Sequence, residues 1–186
     1  MHRIIQEHQF VMITTEQAKD LIDAKKYIIK DDKILKDYHI VQTFPMDEKI
    51  ELAVGNGDDS MMFTWQINQG QKDSLRMSLH CQQYESNIGL FRVDYNRGHK
   101  NPASAPADLP AYFRPYIGKI FGKSESHVHI HVSSDKQQML WAMPIEVSDI
   151  ELKVFDASPD SVAKSILAFA KAINIQTIIK VERSVV

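Results

Sequence analysis

Strict alternation of apolar and polar residues runs through the middle of the chain. From Met61 to Asn68, Met61, Phe63, Trp65 and Ile67 take one parity, and Met62, Thr64, Gln66 and Asn68 take the other. That period of two belongs to a strand whose two faces meet different surroundings. It recurs from Ser74 to Gln82, where Leu75, Met77, Leu79 and Cys81 oppose Arg76, Ser78 and His80. It recurs again from Ile88 to Asn96, with Phe91, Val93 and Tyr95 opposing Arg92, Asp94 and Asn96. Lys49 to Val54 predicts one more strand, ended by the turn-forming run Gly55-Asn56-Gly57-Asp58-Asp59. Short polar turns between four such strands predict an antiparallel meander.

Helical spacing replaces alternation at both flanks. Thr14 and Gln17 have the spacing of a capping box, and Ala18, Leu21, Ile22 and Ile28 continue a narrow apolar stripe, which predicts a helix from about Glu16 to Lys30. Residues 34–49 predict no regular element, and Pro45 interrupts them. Ser158 followed by Pro159 and Asp160 is a helix start, with Ala163, Ile166, Leu167, Ala170 and Ile173 as the buried face. Asn174 ends that helix, and Thr177 to Val181 predicts a short final strand.

Between the meander and the second helix lies Ser126-His127-Val128-His129-Ile130-His131-Val132, in which three histidines alternate with three β-branched residues. Strand geometry puts the imidazoles on one face, about 6.6 Å apart between neighbours. Two neighbouring rings can lean towards one ion, whereas three need a bulge or a further ligand from another strand. Ser133 to Lys136 then predicts a turn into a strand from Gln138 to Ile145. About thirty residues precede the histidine strand, too many for a plain hairpin loop. Their prolines and the apolar Tyr112, Phe113, Tyr116, Ile117, Ile120 and Phe121 predict a folded excursion at about 97–125 that covers part of the sheet. The expected architecture is α+β: a mainly antiparallel, curved sheet of meander plus histidine strand, with N- and C-terminal helices packed on it. All of 1–186 is expected to form one domain.

Composition narrows the function. The formal charge is −2, yet Arg92, Arg97, Lys100, Arg114, Lys119 and Lys123 face only Asp94 and Asp108 between positions 92 and 123, a local excess of +4. An anionic substrate or a phosphate backbone is favoured accordingly. Cys81 is the only cysteine, which excludes an intrachain disulfide and every cysteine-cluster metal motif. No apolar run is long enough to span a bilayer, and the first ten residues lack a signal-peptide core, so a cytoplasmic protein with no membrane partner is expected. Phosphate-loop, dinucleotide and metalloprotease motifs are missing.

The polar parities supply partners for the histidines. His127, His129, Asp94, Arg92 and the loop residue His99 form the candidate catalytic set, with Arg97, Lys100, Asn101, His80, His131 and Arg76 as candidate substrate contacts. His127, His129 and Asp94 are also candidate ligands for a divalent transition metal. A metal-free cluster doing acid–base chemistry, and imidazoles that merely line a solvated or partner-covered face, stay open beside it. Phosphodiester hydrolysis of RNA or DNA is the expected activity. Non-enzymatic nucleic-acid binding or inhibition, and a structural or protein-interaction module dimeric through the histidine face, are the alternatives. The order Arg92-x-Asp94, His99-x-Asn101-Pro102, His127-x-His129 resembles an uncharacterised family of small bacterial and phage-associated proteins, over roughly residues 50–175. That resemblance implies an aromatic residue more often than histidine at the place of His131, which singles out His127 and His129. It implies no activity.

Overall fold

The computed structural model describes residues 13–57, 60–133 and 139–184. Helix α1 (Thr15–Asp23) leads into strands β1 (Tyr27–Lys30), β2 (Lys33–Ile34) and β3 (Asp37–Gln42). The meander follows as β4 (Ile50–Gly55), β5 (Met62–Gln69), β6 (Met77–Gln83) and β7 (Gly89–Tyr95). The excursion holds β8 (His99–Lys100), a 3-10 turn (Ala111–Tyr116) and β9 (Ile120–Phe121). The histidine strand is β10 (His127–Ile130), followed by β11 (Ala142–Pro144), helix α2 (Pro159–Ala172) and β12 (Ile178–Arg183).

Eight strands form one antiparallel sheet in the order β11-β10-β7-β6-β5-β4-β1-β2. Its register turns the alternation into two continuous faces. Leu52, Trp65, Cys81 and Phe91 pair across neighbouring strands on the apolar face, as do Ile67, Leu79, Val93 and Val128. Helix α2 covers this face, with Phe169 5.6 Å from the Phe91 ring and 6.0 Å from Trp65. The thiol of Cys81 is buried there, and burial pushes its pKa up to about 12, which leaves it inert.

Four elements differ from the sequence expectation. Helix α1 ends at Asp23, and Ile28 belongs to β1, where it pairs with Val54. Tyr27-Ile28-Ile29 is aromatic and β-branched, so sheet packing wins over a stripe that keeps helical spacing by coincidence. Lys26 marks the change: its buried ammonium donates to the carbonyls of Ile22, Ala24 and Ile173 near the ends of both helices. Leu75 is exposed because β6 starts only at Met77. Within 34–49, β3 lies parallel to β12, a partner remote in sequence. The turn expected at Ser133 to Lys136 falls largely outside the described residues, and the strand after it is confined to β11. No helix among the described residues is long and apolar enough to cross a membrane.

Candidate functional site

The polar parity of the sheet forms two cross-strand rows. Asn68, Ser78, Asp94 and His127 make one, and Gln66, His80, Arg92 and His129 make the other. The excursion closes over the histidine end of these rows. After β7, Asn96 takes a left-handed φ of 51°, a conformation asparagine adopts more readily than most residues. Its amide donates to the carbonyls of Leu75 and Phe155, which fixes the turn that carries Arg97, Gly98 and His99 back over the sheet. β8 then pairs with β9, so that His99 lies opposite Phe121.

His127 is consequently enclosed between two rings. Phe121 is 4.6 Å away and His99 is 5.4 Å away in a stacked arrangement, while His129 meets His99 edge-on at 4.6 Å. Both strand histidines are wholly buried. One ring nitrogen from each of His99, His127 and His129 lies within 4.8 Å of the other two. Nε2 of His99 lies 2.8 Å from the Leu140 carbonyl oxygen, which can only accept, so Nε2 carries the proton and Nδ1 the lone pair.

Asp94 is the buried anion of the site. Its Oδ1 accepts from Ser78 Oγ at 2.6 Å, and its Oδ2 lies 2.9 Å from Arg92 Nε. Nε2 of His129 and Nε2 of His127 stand 3.3 and 3.6 Å from the same Oδ2, and Arg97 approaches Oδ1 at 3.8 Å. Burial acts to raise the carboxyl pKa, but the two imidazoles and the Arg92 guanidinium outweigh it and hold the group well below the usual carboxylate range. Asp94 is therefore an orienting anion rather than a proton donor. Arg92 Nη2 also reaches His129 Nε2 at 2.7 Å. Burial, with the Arg92 charge acting against that of Asp94, pushes the His129 pKa down to about 3. Burial and nearby charges lower His99 as well, so both rings are neutral at pH 7.

Beside the cluster opens a polar cleft of about 360 Å³. Lys49, Arg92 and Arg97 bring positive charge to its walls, and Asp94, His80 and His99 also face it. A larger cavity of about 730 Å³ lies on the apolar side of the sheet among Ile22, Phe91, Ile130 and Met143. Tyr112 and Tyr116 line that cavity, away from the imidazoles.

The expected site residues thus divide. His127, His129, Asp94, Arg92 and His99 come together, with Arg97 and His80 at the adjoining cleft. His131 does not join them: its ring lies between the carbonyls of Gly89 and Ile13, at 3.1 and 3.2 Å, and serves the core. Asn101 is buried, with its amide donating to the carbonyls of Tyr116 and Ala142 and accepting from Ala142 N–H, so it anchors the excursion instead of facing a ligand. Lys100 is exposed outside the cleft lining, and Arg76 pairs with Asp73 at 2.9 Å. Sequence reasoning passed over Lys49, Gln66, Asn68 and Ser78 as site residues. The shared parity of the last three was the available signal, but only the register sets them in line with Asp94 and His129.

Residues 13–175 match a family of unknown function, DUF6978. The chain belongs to that family. No curated protein and no solved structure matches it.

Proposed function

We propose that this DUF6978 member is a hydrolase that cleaves a phosphodiester of a nucleic acid in the cleft beside the imidazole cluster. The observation that carries the reading is the joint presence of Lys49, Arg92 and Arg97 with Asp94 and His99 around one polar cavity. The three cations hold the phosphoryl oxygens and stabilise the charge that grows on them during attack. The neutral His99 ring at the histidine end of the cleft activates the attacking water, and Asp94 orients the buried His127 and His129 rings packed against it. Water adds to phosphorus as the ester P–O bond breaks, giving a phosphomonoester and an alcohol. A cytoplasmic setting would supply such polymers.

The test is incubation of the purified chain with labelled RNA and DNA and with a chromogenic phosphodiester, under chelation and with added divalent ions. Cleavage is expected, and Arg92→Gln should lower kcat/KM by roughly 10²–10³, the usual effect of losing one charge-stabilising donor. No cleavage of any substrate under any condition would remove the hydrolase. A gel shift without cleavage would favour the binding or inhibitory alternative, and neither shift nor cleavage would favour a protein-interaction module.

A further inference from the structure

Both ring nitrogens of His127 and Nδ1 of His129 are buried without a hydrogen-bond partner among the described residues. Each buried polar atom left unpaired costs about 1–3 kcal/mol, so the unpaired Nδ1 atoms of the two rings call for a partner. The surrounding acceptors indicate what that partner must be. His99 uses its N–H on the Leu140 carbonyl and presents a lone pair at Nδ1. For His127 and His129 the nearest anion is Asp94 Oδ2, on the Nε2 side of both rings. Protons placed there leave lone pairs at both Nδ1 atoms, which for His129 requires Nε2 to exchange the lone pair it turns to Arg92 Nη2, at 2.7 Å, for a proton.

One nitrogen from each of the three rings shares one small volume, and each ring can present a lone pair. A single water has only two hydrogens to offer them, whereas a cation with empty orbitals satisfies all three. Ligands near 2.0–2.1 Å from a tetrahedral ion lie about 3.3 Å apart, so a set within 4.8 Å needs only small side-chain rotations to close. We propose that His99, His127 and His129 ligate one divalent transition-metal ion of the zinc class, with Asp94 accepting the remaining protons of the two strand imidazoles.

Asp94 itself is poorly placed to ligate, because Ser78, Arg92 and Arg97 already surround its oxygens. On metal binding Arg92 keeps Asp94 through Nε and gives up its Nη2 contact with His129 Nε2, whose proton turns to the carboxylate. An all-imidazole set suits zinc and its neighbours rather than magnesium or calcium. Three protein ligands leave one position open for water, which the ion would deprotonate near neutrality. That last role rests on the hydrolase reading, whereas the binding does not.

The experiment uses the full chain, stripped with a chelator and titrated with zinc against a chromophoric competitor and, separately, with cobalt. One zinc per chain and the visible absorption of tetrahedral cobalt are expected. His99→Ala should weaken zinc by at least about 100-fold, and Asp94→Asn by about 10–100-fold, as an outer partner of ligating imidazoles does. Should His127→Gln or His129→Gln fail to fold, the cobalt spectrum of the native chain and the half-buried His99→Ala variant still decide. Sub-stoichiometric zinc, no cobalt spectrum, or His99→Ala binding as tightly as the native chain would overturn the site. Cleavage that survives chelation in a zinc-free chain would remove the metal and leave the hydrolase. Stoichiometric zinc without cleavage would do the reverse.

Discussion

His80 carries a cost that depends on acidity. Its ring lies on the polar face beside Arg92, and burial, reinforced by the Arg92 charge, lowers its pKa to about 4. In the unfolded chain the same ring takes up a proton near pH 6.5. Between those values the unfolded state binds more protons, so stability falls as pH drops from about 6.5 towards 4 and levels off below. The expected loss is roughly 2 kcal/mol, allowing for partial solvent screening. Denaturant melts across this range should show the slope, to which the lowered His129 and His99 also contribute, and His80→Gln should reduce it; an unchanged slope would assign it wholly to those two rings. The sequence could not separate this ring from its fellows. His127, His129 and His131 share one parity, yet the first two meet Asp94 and the third binds two backbone carbonyls. Spacing fixes the direction of a side chain, while the strand or loop that comes to meet it decides what it does.

At the scale of elements, the excursion is held down by few but saturated contacts. The Asn101 amide joins the Tyr116 carbonyl to both backbone groups of Ala142 on β11. Asn101→Ala strands the Ala142 N–H and C=O in a buried setting, and a loss of about 2–4 kcal/mol is expected. Hydrogen exchange should report it locally, with faster exchange in β8, β9 and β11 than in β5 and β6. Uniform acceleration through the sheet would show that the excursion is not a separate unit of opening. The meander was legible because each strand carries its own alternation and its own turn. α2 was legible because Ser158 and Pro159 mark its start. β3 was not, because an edge element of mixed polarity takes its identity from β12. That the excursion covers part of the sheet was legible from its apolar residues, but its closure on His127 through Phe121 and His99 was not, since that depends on how the long connection returns across the sheet.

Across the whole molecule, the positive charge is less concentrated than the sequence suggests. Of the six bases between positions 92 and 123, Arg92 and Arg97 line the cleft, and Lys49 joins them from the start of β4. Three phosphate contacts on a single strand correspond to a salt slope of about −2 in log K against log concentration. A filter-binding series over salt is the measurement. A slope of about −4 or steeper would bring Lys100, Arg114, Lys119 or Lys123 into the interface and enlarge the footprint well beyond the cleft.

The parallel pair β3–β12 also bears on how the chain is made. Ile178 to Arg183 aligns with Asp37 to Gln42, and Thr177 Oγ1 accepts from the Ile28 amide across 149 positions. On the ribosome, β3 emerges early and waits until nearly all the described chain has been translated before its partner strand exists. The meander, whose partners follow one another directly, can pair as it appears. Folding during synthesis is thus split in time, with the antiparallel centre assembled first and the β3 edge left open as a template for other strands. A stalled nascent chain ending before Ser158 should hold the meander while leaving β3 open to protease, and release of the full length should close it.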